Sequence, residues 1–352
     1  MQKDSRVRAT LPVVLLALAL VAAACGGADD DTASGSASTG ETASATDSAS
    51  ASEPETAADD EQESNAEADT EPADEPAPAP AVDDSPLEVG RVIALGEDSL
   101  LADLLAIGVT PILSSTNGSD GFVGIERSTE GIEAIPTVQL NPEMLAATQP
   151  DLLITTQSFV DLAGDSGGVL AQLAPDAIIL QEDGWRERLL ELGEALEVPE
   201  RTEALLARYD AAVVESQGVL DPSLVVSVAT VYDFALAAWV DAPAAVPATL
   251  LDLGVTVSPG GGELANESFG RVRPLSDEQL PLLDGDLLIL LQNPRLQSET
   301  EALDAAGEQP LWQSIPAVQA GNVAVLDRIG YQGVEGRIRL IGDLIAAVEG
   351  LS

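Results

Sequence analysis

From Leu87 onward the chain alternates short apolar runs with amphipathic stretches, and the spacing in each sets its element. Arg91–Leu95 is an apolar run of strand length. Gly96–Ser99 is a turn, and Leu100–Ile107 a helix stopped by Gly108. Pro111–Leu113 gives a second short strand, and the polar, glycine-rich stretch from Ser114 to Gly131 reads as loop. Val160–Leu173 has helical spacing but contains Gly164, Gly167 and Gly168; Ala177–Leu180 reads as strand and Gly184–Leu196 as helix. Pro199–Gln217 is the longest amphipathic stretch. Pro199 stands at its start, Gly218 just past its end, and Leu205, Tyr209, Val213 and Ser216 fall on one stripe. The strand Val225–Val231 then begins the pattern again. A helix ending at Leu250–Leu253 before Gly254, a flexible loop at Gly260–Gly262, a short helix Leu311–Ile315, a strand Val323–Leu326 and a last helix Val334–Leu351 complete it. Alternating strand and helix signals predict mainly parallel sheets with helices on both faces.

One pattern occurs twice. Asn141–Ile154 reads NPEMLAATQPDLLI and Ser276–Ile289 reads SDEQLPLLDGDLLI, so each carries E-x-L, five residues, then D-L-L-I. Asn141 and Ser276 suit a helix N-cap, and Glu143 and Glu278 follow in the first turn, where a carboxylate meets the positive end of the helix dipole. A tight turn and a Leu/Ile strand of buried type come next. A helix–turn–strand unit used twice predicts two similar α/β lobes, with Pro199–Gln217 as the bridge between them.

Composition narrows the chemistry. The chain has 60 acidic residues against 15 basic ones and no histidine, for a net charge of −45. Nucleic-acid binding needs clustered cations, so that class is excluded. Without histidine, Ser-His-Asp and Cys-His catalysis and imidazole-ligated zinc or manganese sites are ruled out. No nucleophile elbow and no metal cluster is found, so no catalytic residue, metal ligand or cofactor is assigned. Oxygen-ligand sites for calcium or magnesium stay open.

The first 86 residues carry a different kind of information. Lys3, Arg6 and Arg8 precede the apolar stretch Leu11–Ala24, which is too short to span a bilayer comfortably. Residues 1–24 therefore read as an export signal. Ala22–Ala24 lead into Cys25, the only cysteine, and this resembles the lipobox of bacterial lipoproteins, in which the Cys carries lipid after cleavage. Residues 25–86 then form an acidic linker of Asp, Glu, Ser, Thr, Ala and Pro. It has too little apolar surface to offset the entropy of ordering, and disorder is expected.

The body of the chain resembles the substrate-binding lipoproteins of the iron-siderophore and cobalamin ABC import family. Four stretches carry the resemblance, in order: Arg91–Leu113, Leu140–Ile154, Pro274–Leu290 and Pro310–Asp327. It implies two α/β lobes with mainly parallel sheets joined by a single long helix, with ligand held in the cleft between them and no bond chemistry. The expected division is an N-terminal lobe at 87–198, the bridging helix at 199–218 and a C-terminal lobe at 219–352. The resemblance also makes Glu143 and Glu278 the acids, one per lobe, that dock onto arginines of an ABC permease. Two exposed carboxylates suit that role. The same positions equally suit plain first-turn acids.

Ligand sites of open α/β sheets lie at the carboxyl ends of strands. That directs attention to 96–99, 156–159, 181–185, 232–239 and 328–331, where Trp185, Tyr232, Trp239, Arg328 and Tyr331 are the candidates to contact a bulky anionic chelate. Packing and surface ion pairing are the competing roles for each. Trp312 is assigned to the core. Tyr331 stands where relatives often have Trp, and Glu97 where an aromatic is frequent, which leaves the ligand open. The expected protein is an extracytoplasmic, lipid-anchored monomer that binds a ferric-siderophore-type ligand. A cobalamin carrier and a non-transport surface lipoprotein are the alternatives.

Overall fold

A computed structural model describes residues 81–352, apart from 119–120, 163–172, 175, 182–183, 233–234, 241–243, 261–271 and 352. The signal segment, Cys25, nearly all of the linker and the glycine loop at 260–262 beyond Gly260 lie outside the described residues.

The first lobe is built on one five-stranded sheet in the order β3-β2-β1-β4-β5, every pair parallel. Its strands are β1 (Val92–Leu95), β2 (Leu113–Thr116), β3 (Glu133–Pro136), β4 (Leu152–Thr156) and β5 (Asp176–Leu180). Helices α1 (Asp98–Ala106), α2 (Pro142–Ala147), α3 (Gln157–Leu162) and α4 (Trp185–Ala195) connect or follow them. β1 is fully buried along its length, as a continuous apolar run between two helical layers must be. β2 lies later than the sequence suggests. It takes in Ser114–Thr116 from the stretch read as loop, because Ser115 trades two hydrogen bonds with Gly96 (2.7 and 2.8 Å) and is thus satisfied inside the sheet. β3 carries no apolar run and is held by its parallel register with β2.

The long helix α5 (Pro199–Gln217) has the bounds its sequence gives. Its stripe of Leu205, Tyr209, Val213 and Ser216, with Thr202, is buried. The second lobe then opens with β6 (Val225–Tyr232) and β7 (Ala235–Trp239), followed by α6 (Ala245–Asp252), β8 (Thr256–Val257), β9 (Val272–Pro274), a 3-10 turn at Asp277–Leu282 and β10 (Leu287–Gln292). After these come α7 (Gln297–Gly307), a 3-10 turn at Trp312–Ser314, α8 (Pro316–Ala320), β11 (Val323–Asp327) and α9 (Gly333–Glu349). Its six-stranded sheet runs β11-β10-β6-β7-β9, with β8 also on β6. The pairs to β10, β11 and β8 are parallel, and β7 is antiparallel to β6 and β9. The stretch 232–239, read from sequence as a cleft loop, is therefore mostly the return strand of a hairpin.

Both copies of the repeat end in a strand that pairs parallel with the strand opening its lobe, behind a helix in the first copy and a 3-10 turn in the second. In the first, Asn141 caps α2 by accepting from the Glu143 N–H (2.9 Å), and β4 pairs with β1. In the second, Gln279 accepts from the Ser276 N–H (3.1 Å), Pro281 keeps the turn 3-10, and β10 pairs with β6. Each strand-opening aspartate brackets the start of its partner strand. Asp151 accepts from the Arg91 N–H (2.8 Å) while its own N–H donates to the Arg91 carbonyl (2.9 Å). Asp286 does the same with Val225, at 3.1 and 2.8 Å.

The helices between the sheets form one layer. α9 packs against α5, against α1 of the first lobe and against α6 of the second. Among the described residues no helix is long and apolar enough to cross a membrane.

Candidate ligand cleft

A cavity of about 310 Å³ lies between the lobes. Glu97 and Asn117 line it just past the carboxyl ends of β1 and β2, and Arg328 and Ile329 just past β11. Parallel strands end on this edge, and the turns that leave them expose polar side chains there without costing sheet hydrogen bonds.

Of the residues singled out from sequence, Trp185, Trp239, Arg328 and Tyr331 all line this cavity. Tyr232 ends β6, but its side chain lies outside the described residues. The 156–159 turn does not line the cavity. Thr156 accepts from the Phe159 N–H (3.2 Å), and Phe159 goes into the core of the first lobe.

The four side chains differ in how much of each is free. Tyr331 is buried, its hydroxyl donates to Asp343 (2.9 Å), and the Arg339 guanidinium lies 4.8 Å over its ring. Burial first, then the Asp343 carboxylate, pushes its phenol above the ordinary tyrosine range. Arg328 pairs with Glu299. Trp185 meets Tyr209 of the long helix edge-on at 5.0 Å and carries two guanidinium groups over its ring, Arg186 at 4.7 Å and Arg337 at 4.5 Å. Trp239 is half-buried at the end of β7, and its indole Nε1 is buried with no acceptor.

Three charged residues of the cavity wall escape a reading of the sequence. Arg188 lies on α4, one turn beyond Trp185, and Arg337 on α9. Both read as ordinary charges on amphipathic helices. Asp103 lies on α1 inside an apolar-looking helix, and it is buried. It accepts from the Val334 N–H at the start of α9 (2.9 Å). Burial raises its carboxyl to about 6 against the pull of Val334, Arg188 and Arg337. Burial likewise lowers Arg337 to about 10. Glu97 is the other acid in the wall, and it is exposed. Among the described residues there is no cluster of acids, His or Cys able to hold a metal ion.

Glu143 is exposed in the first turn of α2, and Glu278 is exposed in the 3-10 turn that opens the second copy of the repeat. Neither has an arginine partner among the described residues. Trp312 is half-buried and packs against the apolar cluster of the second lobe.

No curated protein matches the chain significantly. Solved structures do. Staphylococcus aureus SirA complexed with staphyloferrin B superposes with a TM-score of 0.62 at 18% identity, over 74% of this chain and 93% of that one. The siderophore periplasmic binding protein from the fuscachelin gene cluster of Thermobifida fusca gives 0.57 at 22% identity, over 74% and 98%. FhuD2 from Staphylococcus aureus with bound ferrioxamine B gives 0.57 at 14% identity, over 73% and 98%. At these identities the likeness speaks to the fold: two α/β lobes with mainly parallel sheets and one long connecting helix. The periplasmic binding protein family model matches residues 92–329, the span from the first strand of one lobe to just past the last strand of the other. The chain belongs to the periplasmic binding protein family.

Proposed function

We propose that this chain is the extracytoplasmic binding component of an ABC importer, that it captures a ferric-siderophore-type chelate between its lobes, and that it hands the chelate to a membrane permease. The observation that carries this reading is the cavity between the lobes, with Trp185, Trp239 and Tyr331 alongside Arg188, Arg328 and Arg337. Aromatic faces and guanidinium donors together suit a bulky chelate with oxygen atoms on its surface. The fold neighbours named for siderophore binding support the same class.

In this reading Cys25 carries the lipid, the acidic linker holds the body away from the membrane, and Glu143 and Glu278 meet arginines of the permease. The ligand is bound and released without a bond being made or broken. Titrating ferric siderophores and corrinoids while following Trp fluorescence and melting temperature tests the core of it. A true ligand at 100 times its Kd adds about 2.7 kcal/mol of stability. Response to a corrinoid alone would replace the siderophore assignment, and no response to any chelate would overturn it. Glu143→Arg with Glu278→Arg should abolish uptake and leave ligand binding intact; loss of ligand binding in that variant would remove the docking role. Cys25→Ser should release the protein from membranes.

A further inference from the structure

Carboxylates so outnumber cations in this chain that most described arginines are claimed by one. Arg127 pairs with Glu335, Arg186 with Asp210, Arg201 with Asp83, Arg295 with Asp327 and Arg339 with Glu126. Arg328 and Arg208 have Glu299 and Glu335, and Arg91 donates to the carbonyls of Thr148 and Gln149. Among the arginines whose side chains the structure describes, only Arg188 and Arg337 have neither a salt bridge nor a hydrogen bond to protein, and both line the cleft. Arg337 is 8% exposed, and its Nη1 is a buried donor with no acceptor. A second orphaned buried donor, Trp239 Nε1, lines the same cavity.

An unmatched buried donor is costly in an apo protein. Two of them in one cavity, beside an unpaired guanidinium, describe a site whose acceptors come from outside. Of the wall's own acids, Asp103 attracts both guanidinium groups electrostatically but takes its hydrogen bond from the Val334 N–H and makes none to either arginine, and Glu97 is exposed. Trp185 holds the Arg337 guanidinium over its ring at 4.5 Å, which makes Trp185 a positioning residue for that cation.

From this arrangement we propose that Arg188, Arg337 and Trp239 Nε1 form an anion-selective subsite, and that the ligand is a net-anionic chelate of the carboxylate class. The inference rests on the reading that the cleft takes a ferric chelate. It separates ferric complexes by charge. Three hydroxamates neutralise iron(III), whereas carboxylate-rich chelators leave an anion, and a guanidinium fork matches a carboxylate in both geometry and charge.

The test uses the full-length chain and two probes, ferric citrate as the anionic chelate and ferrioxamine B as the hydroxamate chelate. Trp fluorescence follows binding. Wild type should favour ferric citrate. Arg188→Gln and Arg337→Met should each weaken it about 10- to 100-fold, the range for losing a hydrogen bond to a charged group, and leave any ferrioxamine B affinity unchanged. Arg337→Met also reports on its own folding. A cation that awaits ligand leaves the apo melting temperature unchanged or raised on replacement by an apolar side chain of similar length. A fall in that temperature would assign Arg337 a structural role. Arg188→Gln, at a half-buried position, keeps the test valid in that event. Equal or tighter binding of ferrioxamine B, or wild-type citrate affinity in both variants, would overturn the subsite and leave the siderophore reading standing. Binding of neither probe to the wild type, with another siderophore bound, would overturn the carboxylate class alone. Failure of every chelate would overturn both.

Discussion

The two copies of the helix–turn–strand unit differ around a shared centre. In both, the D-L-L-I strand runs parallel to the strand that opens its lobe, and its aspartate closes the start of that pair with a carboxylate and a backbone hydrogen bond. Around that centre little is conserved. The first copy makes an α-helix and turns through Gln149 at φ 50° and the buried Pro150. The second makes a 3-10 turn and passes Gly285 so close to β6 that a Cβ there would lie 2.5 Å from the Ser227 nitrogen. The first sheet is wholly parallel, while the second takes an antiparallel hairpin that delivers Trp239 to the cleft. Strand pairing and burial fix the centre of each unit, and the periphery is free to shape the ligand surface.

Matched substitutions test whether the centres are equivalent. Leu153 and Leu288 occupy the same place in the two D-L-L-I strands and are fully buried. Leu153→Ala and Leu288→Ala should each cost about 2–5 kcal/mol in denaturant unfolding. A difference larger than that range would show that one lobe tolerates a void the other does not.

The region where the lobes meet gives the next effect. The Asp103 carboxyl is raised to about 6 in the fold from 3.8, mainly by burial. The fold therefore favours its protonated form. The stability this group contributes is full below pH 4 and is lost as pH rises through about 6. Asp103→Asn keeps an acceptor for the Val334 N–H and removes that loss. The variant should melt with wild type at pH 4 and above it at pH 7.5, by at most about 3 kcal/mol. Asp98 is raised to about 6 by burial as well, so the measurement is the difference between variant and wild type at each pH. An unchanged difference across that range would place the ionisation elsewhere.

Gly285→Ala should cost about 1–3 kcal/mol, since the clash is with backbone that cannot turn aside. Asp151→Ala and Asp286→Ala should be the mildest, about 1 kcal/mol each, and alike. Unequal losses at these two positions would break the equivalence of the brackets.

The centre of the fold was legible because it is written in local patterns. The apolar run of β1, the stripe and boundary residues of α5 and the repeat itself each name an element unaided. β3, β7 and α7 were missed for a common reason. β3 has one buried position, α7 buries only Ala306, and the Ala-rich β7 resembles a helix or loop until β6 and β9 pair with it. The cleft was half-legible. Strand ends pointed to Trp185, Trp239, Arg328 and Tyr331. Arg188 and Arg337 could not be found that way, because what distinguishes them is a lack of hydrogen-bonded or salt-bridged partners, which shows only against the other described arginines.

The closing helix has a consequence for the order of assembly. Asp103 waits for Val334, 231 positions later, and Arg127 and Glu126 for Glu335 and Arg339, 208 and 213 positions later. A chain emerging N-terminus first therefore cannot seal its leading half until its tail has followed. Nicks or fusions near residue 333 should damage the half of the protein that is most distant in sequence.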